Sequence, residues 1–421
     1  MICSFSVKNF KAYGDKVDLS FFADQNIKRF DCNSIPAKGK RILKAVGFYG
    51  PNNTGKTCIL YAVCCLRRIM LNEPCENMVN SFADMGEVTS FEVEYFVNGR
   101  FYDYAVDYDN RNKTYVRESL FQKTYNGTSS FKERVFERDA EALKLGVKPT
   151  GMKPGLVANF FSMSLPFMVL VSGEGIEGLG RAKSDYLDFA QSLVFLKMDG
   201  PLDIAKTIQL LQNDPKGARF VKEFVKNCDL RIDDFGYAEN IVSDADIADN
   251  LQVAMNNPSF VKESLKLYSK YGKYRVPSIF FDSVGTMKLV ALAGYIYESL
   301  SKGSVLMIDE IDSSLHHILT RSIVAMFNNL LNVKSQLLFT TQDVLLLDLQ
   351  KLLRKDQVWL VDLAKEAHSS TLDRVSDKFP SRSENGIRGD EDIREYYLKG
   401  RYGSIPTPDL FASLEEAVSD E

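Results

Sequence analysis

The sequence predicts a mixed α/β fold with a largely parallel sheet, an antiparallel β subdomain and a helical insertion. In residues 276–421, apolar strand-like runs alternate with helical runs, which is typical of parallel sheets covered on both faces. Residues 90–108 alternate apolar and polar side chains around Asn98-Gly99, a dipeptide that favours an antiparallel hairpin. From residue 140 to 275 the pattern turns helical and less regular. We therefore expect a main domain built from 1–139 and 276–421, with a mostly helical lobe at 140–275.

Length and composition indicate an ordinary globular protein. The chain has 421 residues, of which 45% are hydrophobic and 26% charged, enough to bury a large core. A net charge of −4 argues against a wholly basic nucleic-acid binder. Seven scattered cysteines and three histidines argue against a structural zinc site. No apolar run approaches the roughly 18 residues of a membrane helix, so we expect a cytoplasmic protein without membrane contact.

A glycine-rich loop at residues 50–57 reads Gly-Pro-Asn-Asn-Thr-Gly-Lys-Thr. The run 43–49 before it predicts a buried strand, and the run 58–66 after it predicts a helix, so that loop N–H groups and the helix N-terminus point at one anion. Such a loop binds a nucleoside triphosphate with Mg²⁺: Lys56 reaches the β- and γ-phosphates and the Thr57 hydroxyl holds the metal. A glycine-rich turn without a ligand is the alternative. The candidate nucleotide contacts are Gly50, Asn52, Asn53, Thr54, Gly55, Lys56, Thr57 and Cys58.

Two carboxylates end a second apolar strand, Val-Leu-Met-Ile-Asp-Glu at 305–310. Asp309 suits the water-mediated Mg²⁺ role. Glu310, one residue further on, is expected to face the γ-phosphate and to polarise the attacking water. A solvated acidic turn is the alternative, but a phosphate loop far upstream favours a hydrolytic site with Lys56 and Glu310 as catalytic residues.

This wide separation of the two motifs resembles the ABC/SMC/RecF group of P-loop ATPases, whose ATPase head is assembled from both ends of the chain. Residues 8–11 resemble an N-terminal segment of these heads in which a basic residue, here Lys11, approaches the nucleotide. Residues 281–286 resemble the signature segment, which implies that Ser283 and Gly285 contact the γ-phosphate held by a second subunit. Asp312 lies in a run that resembles the D-loop, which crosses the dimer interface.

The chain departs from this group at residue 342. Residues 338–343 lie where the switch-histidine loop belongs, and the expected histidine is Gln342. A neutral amide can bond a γ-phosphate oxygen or the attacking water but offers no titratable group. We therefore count Gln342 as a catalytic candidate that predicts slow hydrolysis and a long-lived closed dimer. A neutral substitution is the alternative.

Three further runs, 229–234, 352–359 and 397–406, resemble RloA-type ATPases of bacterial restriction-linked and abortive-infection loci. This resemblance implies a homodimer or higher homo-oligomer that closes on ATP and Mg²⁺. It also implies that the protein senses infection through DNA or a phage protein and controls a nuclease or toxin encoded nearby. The alternative is a RecF- or SMC-like ATPase of DNA repair or chromosome maintenance. Lysines spaced by four among tyrosines at 262–275 could follow a nucleic-acid backbone, although a solvated helix face is the competing interpretation.

Overall fold

The computed structural model describes residues 1–75, 78–80, 86–146, 163–171, 178–200, 202–228, 230–238, 263–364, 369–379 and 393–399. The strands are β1 Ile2–Lys8, β2 Val17–Ser20, β3 Ser34–Ala37, β4 Lys40–Leu43, β5 Ala45–Tyr49, β6 Val88–Val97, β7 Arg100–Asp109, β8 Thr114–Asn126, β9 Ser129–Asp139, β10 Leu143–Leu145, β11 Leu193–Lys197, β12 Asp234–Tyr237, β13 Leu267–Tyr271, β14 Tyr274–Pro277, β15 Val305–Asp309, β16 Gln336–Thr341, β17 Val358–Ala364 and β18 Ser369–Arg374. The α-helices are α1 Lys56–Leu71, α2 Phe167–Leu170, α3 Gly180–Ser192, α4 Ala205–Asn213, α5 Pro215–Asn227, α6 Ser278–Phe281, α7 Val284–Lys302, α8 His317–Asn328, α9 Val375–Lys378 and α10 Ile393–Leu398. Short 3₁₀ turns lie at Asp31–Asn33, Val344–Leu346 and Lys355–Gln357.

The central sheet has the strand order β11-β15-β16-β5-β17-β18. Every neighbouring pair in it is parallel except β17 with β18. Strand β5 precedes the glycine-rich loop and β15 carries the acidic pair, so one strand, β16, separates the two motifs. Since neighbouring strands lie about 4.8 Å apart, the motif strands are roughly 10 Å apart. The carboxyl ends of all these parallel strands meet at one edge of the sheet, which brings the motif loops together.

Both faces of the central sheet are covered, as the alternation of helices and strands predicts. Every residue of β5, β15 and β16 is buried, which explains their uninterrupted apolar runs. Val46 and Phe48 face a core shared with α1, α3 and the antiparallel sheet. Ala45 and Tyr49 face the opposite core, shared with α4, α5, α7 and α8. The predicted mixed α/β fold class is confirmed.

The antiparallel subdomain is a sheet with the order β10-β9-β8-β7-β6-β1-β2. Its β6–β7 hairpin turns at Asn98 and Gly99, whose φ values of 48° and 75° are those of the turn that the sequence predicts. The hairpin is fixed to α3 because Asp185, almost fully buried, accepts hydrogen bonds from Asn98, Arg100 and Tyr102.

The described part of 140–275 contains strands that the sequence does not predict. Helices α3, α4 and α5 lie there, but β11 joins the central sheet beside β15, and β12, β13 and β14 form a small antiparallel sheet. A run as short as Leu193–Lys197 cannot be assigned to strand or helix by periodicity alone. The interpretation of the lysines as one helix face is wrong: Lys270 lies in β13, where a spacing of four also keeps side chains on one face.

Parts of the sequence predictions lie outside the described residues. They include Asp229, Lys262, the run 400–406 and the acidic tail at 412–421. Among the described helices, none is both long enough and apolar enough to cross a membrane.

Candidate nucleotide-binding site

The glycine-rich loop, residues 50–55, is held by contacts that leave no room for larger side chains. A Cβ atom on Gly50 would lie 2.2 Å from the Val361 carbonyl oxygen of β17. Gly55 has φ +93°, and a Cβ there would lie 2.7 Å from the Ser370 hydroxyl oxygen of β18. The Tyr13 hydroxyl donates to the Gly55 carbonyl at 2.9 Å. The loop is therefore fixed by β17, β18 and the N-terminal segment, with α1 beginning directly after it.

Lys56, the first residue of α1, is folded back into this loop. Its side chain is buried, and Nζ donates to the carbonyl oxygens of Gly50 at 2.7 Å and Pro51 at 2.6 Å. Burial lowers the pKa of Lys56, while the negative charges of Asp309 and Glu310 oppose that shift. The ammonium group is thus held by carbonyl dipoles inside the loop, where a phosphate would meet it.

Thr57 and Asp309 meet across the gap between α1 and β15. The Thr57 hydroxyl donates to both Asp309 carboxylate oxygens, at 2.9 and 3.0 Å, and Asp309 is completely buried. A hydroxyl and a carboxylate are oxygen ligands of the kind that Mg²⁺ prefers, usually together with waters and nucleotide phosphates. The described residues contain no cluster of three or more His, Cys, Asp or Glu side chains that would hold a metal ion alone. The pair therefore fits a metal that arrives with phosphates.

Glu310 follows β15 in the left-handed conformation, with φ +53°. Its backbone N–H donates to the Thr340 hydroxyl at 2.7 Å, and that hydroxyl donates to Asp309 Oδ1 at 2.6 Å. The sequence motifs do not identify Thr340. The one signal available was a hydroxyl side chain in the apolar first half of the predicted switch loop, residues 338–343.

The predicted D-loop and switch loop touch. The backbone N–H of Gln342 donates to Asp312 Oδ2 in a long hydrogen bond of 3.4 Å, and the Gln342 side chain is exposed. Asp343 turns away, because its side chain accepts from the Leu345 N–H at 2.9 Å and caps the next 3₁₀ turn. Any contact of Gln342 with a nucleotide would use its exposed amide.

The predicted signature segment caps α7. The exposed Ser283 is the N-cap residue, and its hydroxyl accepts from the Thr286 N–H at 3.1 Å. Gly285 packs on the D-loop, where a Cβ would lie 2.7 Å from the Ser314 carbonyl oxygen. Buried Lys288, a residue that the sequence does not single out, donates to Ser314 Oγ at 3.1 Å and to the Met198 carbonyl. Signature helix and D-loop therefore form one unit.

Large apolar side chains close to Ser283 in the sequence are exposed to solvent. We call them the apolar rim: Tyr274, Ile279, Phe280, Phe281 and Val284. Phe281 and Val284 expose 65% and 69% of their surface on either side of Ser283. Exposed apolar residues are ordinary when they are scattered singly, so their concentration in one short stretch of chain favours an interaction site.

Lys11 lies beside the glycine-rich loop, in the left-handed region with φ +43°. Its ammonium group stands 4.5 Å from the centroid of the Tyr61 ring on α1, and its carbonyl accepts from the Asn80 side chain. Burial raises the pKa of the nearby Cys58 thiol, and the positive charge of Lys11 acts in the opposite direction. The structure thus brings Lys11 and Cys58 to one side of the loop, whereas Asn52 and Asn53 lie exposed at its tip.

The site can be compared with known proteins. Residues 191–348 match the family model described as "AAA domain, putative AbiEii toxin, Type IV TA system". The match includes α7, the acidic pair and β16, but not the glycine-rich loop. Over these residues the chain is therefore similar to an AAA domain, and the central sheet brings the acidic pair of this segment next to the glycine-rich loop.

No curated protein matches the sequence. Among solved structures, the chain is similar to the SMC head domain from Thermotoga maritima, with 12% identity, a TM-score of 0.42 and coverage of 89% of this chain and 98% of that one. It is also similar to the Smc head domain with an extended coiled coil bound to the C-terminal domain of ScpA, derived from Pyrococcus furiosus. That likeness has 13% identity, a TM-score of 0.44 and coverage of 88% and 95%.

Proposed function

We propose that this protein hydrolyses ATP and works as an ATP-gated homodimer, or higher homo-oligomer, in a bacterial antiphage system. In this proposal it is an RloA-type regulatory ATPase that responds to DNA or a phage protein and controls a nuclease or toxin encoded nearby. ATP hydrolysis is supported mainly by the hydrogen bonds between Thr57 and Asp309, since Glu310 directly follows Asp309 in the sequence. These hydrogen bonds join the phosphate-loop helix to the acidic pair in a single site.

The residues divide the chemistry among them. Lys56 and the loop N–H groups bind the β- and γ-phosphates, while Thr57 and Asp309 would hold Mg²⁺. When bound, that metal neutralises charge on the phosphate oxygens. Glu310 accepts a hydrogen bond from the attacking water and orients it in line with the γ-phosphate. Phosphoryl transfer depends mainly on this positioning and on electrostatic stabilisation.

The exposed signature segment supports a dimer. Ser283 and Gly285 lie at the N-terminus of α7, which attracts anions, and the apolar rim around them is free to meet another surface. In the proposed dimer, each ATP lies between the loop of one copy and Ser283 of the other. ATP binding then favours association and hydrolysis favours release, because the two states differ in these contacts.

The defence role is supported by the family match, whose description names a putative AbiEii toxin and a type IV toxin–antitoxin system. The resemblance of the C-terminal third to RloA-type ATPases points the same way. To control a partner protein, the ATP-bound dimer must persist long enough for the partner to respond. Gln342 in place of a histidine supports slow hydrolysis, which would prolong that state. We therefore propose that the ATP-bound dimer is the long-lived state.

The Glu310→Gln variant tests the ATPase dimer. It keeps Mg²⁺ binding but removes the carboxylate that polarises water, so we expect it to bind ATP and accumulate as a dimer in analytical ultracentrifugation. The unsubstituted protein should hydrolyse ATP slowly and elute with the product of a neighbouring nuclease or toxin gene when both are expressed. A variant that stays monomeric with saturating ATP would contradict the dimer.

A second candidate, a RecF- or SMC-like ATPase that acts on DNA, is favoured by one feature. The β13–β14 hairpin exposes Lys273, Tyr274 and Arg275 near the signature segment, and the Lys273 ammonium group lies 5.2 Å from the Tyr274 ring centroid. Basic and aromatic side chains together can bind a nucleic-acid strand. ATP-dependent DNA binding by the purified protein, lost in Lys273→Glu/Arg275→Glu, would favour this candidate.

A further inference from the structure

A buried threonine on β16 contacts both residues of the acidic pair. Thr340 is completely buried between the two motif strands. Its hydroxyl donates to Asp309 Oδ1 at 2.6 Å and accepts from the Glu310 N–H at 2.7 Å. Its carbonyl oxygen also accepts from the Ile311 N–H at 3.1 Å. One residue therefore holds three consecutive positions at the end of β15.

These hydrogen bonds fix the backbone from which the Glu310 side chain extends. Glu310 has φ +53°, a conformation that is unfavourable for a non-glycine residue and persists only where the surroundings impose it. Both backbone hydrogen bonds that impose it here, from Glu310 and from Ile311, end on Thr340. The turn carries the chain from β15 into the D-loop, so the position of the Glu310 side chain depends on these hydrogen bonds.

The same hydroxyl also orients Asp309. A completely buried carboxylate needs hydrogen-bond donors, and Asp309 has two, the hydroxyls of Thr57 and Thr340. Thr57 belongs to α1, and its hydroxyl is the group that would turn to a metal. Thr340 approaches from the neighbouring strand and bonds only Oδ1. It can therefore keep its contact with Oδ1 when Thr57 and Oδ2 turn to a metal.

We propose that Thr340 is a positioning residue that aligns Asp309 with the metal and Glu310 with the attacking water. This inference rests on the proposed ATPase function and deepens it. A valine at position 340 would have nearly the same shape as the threonine and would suit a buried strand equally well. The hydroxyl of Thr340 therefore matters for its hydrogen bonds and not for packing. The neighbouring Thr341 does not contact the acidic pair through its hydroxyl in this way. Its hydroxyl accepts a hydrogen bond from the Asp343 N–H at 2.9 Å, within the switch loop.

The test compares Thr340→Val, which keeps the shape, with Thr340→Ser, which keeps the hydroxyl. Groups that orient metal ligands typically contribute 10- to 100-fold to metal affinity or activity. For Thr340→Val we therefore expect kcat to fall about 10- to 100-fold and the Mg²⁺ concentration for half-maximal binding of a fluorescent ATP analogue to rise about tenfold. The KM for ATP should change less than about threefold, because the phosphate loop is untouched. Thr340→Ser should stay close to the unsubstituted protein.

Thr207→Val is the matched control. Thr207 is a buried threonine on α4, and its hydroxyl donates to the Val290 carbonyl at 2.8 Å, away from the acidic pair. Thr207→Val should lose thermal stability similarly to Thr340→Val while keeping its kcat and Mg²⁺ dependence. If Thr340→Val also keeps both, the inference is overturned while ATP hydrolysis by the unsubstituted protein still stands. If the unsubstituted protein shows no Mg²⁺-dependent ATP binding, the proposed function fails and the inference with it.

Discussion

At the scale of single residues, the site depends on a chain of buried hydroxyl–carboxylate contacts. Thr57 on α1, Asp309 on β15 and Thr340 on β16 are linked through one carboxylate. Charge-assisted hydrogen bonds of this kind are short and comparatively strong. A change in any of the three elements is therefore transmitted to the position of Asp309.

The close approach of Gly50 to the backbone of β17 leads to the first prediction. In Gly50→Ala the new methyl group would lie 2.2 Å from the Val361 carbonyl oxygen, a backbone atom that cannot move alone. We expect a shifted loop and ATP affinity reduced by about tenfold or more, measured by isothermal titration calorimetry. The control is Gly180→Ala at the start of α3, where an added methyl group meets no atom within 4 Å. Equal ATP affinities for the two variants would contradict the close approach.

Gln342 gives the second prediction. Its side chain is exposed, so Gln342→His should fold normally and place an imidazole where the resemblance of residues 338–343 to a switch loop implies a histidine. We expect steady-state ATP turnover to rise about tenfold or more, with a dependence on pH near 6.5 that the parent lacks. Gln342→Ala controls for loss of the amide alone. Turnover of Gln342→His at or below the parent's rate would mean that Gln342 is not what limits hydrolysis.

Single residues also show what the sequence could and could not predict. Lys56, Thr57, Asp309 and Glu310 become candidates from the sequence alone because each belongs to a contiguous motif with a flanking strand or helix. Thr340 and Lys288 do not, since their roles arise only when β16 lies beside β15 and α7 lies beside the D-loop. Such contacts depend on strand order, which a local pattern does not contain.

At the scale of elements, α6 and α7 form the surface on which the proposed dimer depends. The apolar rim lies around the N-terminus of α7, at the predicted contact with a second copy. Burying a phenylalanine side chain contributes about 1.5–3 kcal/mol, so a few such residues could drive association of two copies.

Phe281→Asp is therefore expected to block the ATP-dependent dimer. A buried, unpaired carboxylate is costly, and it would also lie next to the γ-phosphate. In the Glu310→Gln background with ATP, we expect Phe281→Asp to sediment as a monomer that still binds nucleotide. Leu331→Asp is the matched control, because Leu331 is 91% exposed in the loop before β16, at the opposite edge of the sheet. If both variants dimerise equally, the rim is not the interface.

The elements differ in how well the sequence predicted them. Strands β5, β15 and β16 were predicted because their continuous apolar runs are next to motifs or turns. Strand β11 was missed although it pairs with β15 over its full length. It directly follows α3 without a turn residue, so the helical pattern runs into it.

At the scale of the whole molecule, residues far apart in sequence are joined by buried polar groups. Gln336 accepts from the Ile2 N–H at 2.8 Å and donates to the Ile2 and Leu43 carbonyls, each at 3.1 Å. Arg354 and Asp356 form a second junction, in which Arg354 donates to the carbonyls of Asp24 and Ile27. Because these groups are buried, they stabilise the assembly of the head only when both halves of the chain are in place.

Asp356 gives the last prediction. Its carboxylate accepts from Arg354 at 2.7 and 2.8 Å and from the Asp24 N–H at 2.7 Å, and both charged side chains are almost completely buried. Asp356→Leu would leave a buried guanidinium without its counter-charge, which typically costs about 3–5 kcal/mol of unfolding free energy. We expect a correspondingly lower urea midpoint, followed by circular dichroism.

Two comparisons separate the buried charge from packing. The double variant Arg354→Met/Asp356→Leu removes both charges and should recover part of the loss, although the carbonyls that Arg354 contacts lose a donor. Asp373→Ala, which breaks the partly exposed pair with Lys378, should cost less than about 1 kcal/mol. If Asp356→Leu is no less stable than Asp373→Ala, the Arg354–Asp356 pair does not hold the two halves of the chain together. Assembly of the head would then rest on the two apolar cores and on the amide junction at Gln336.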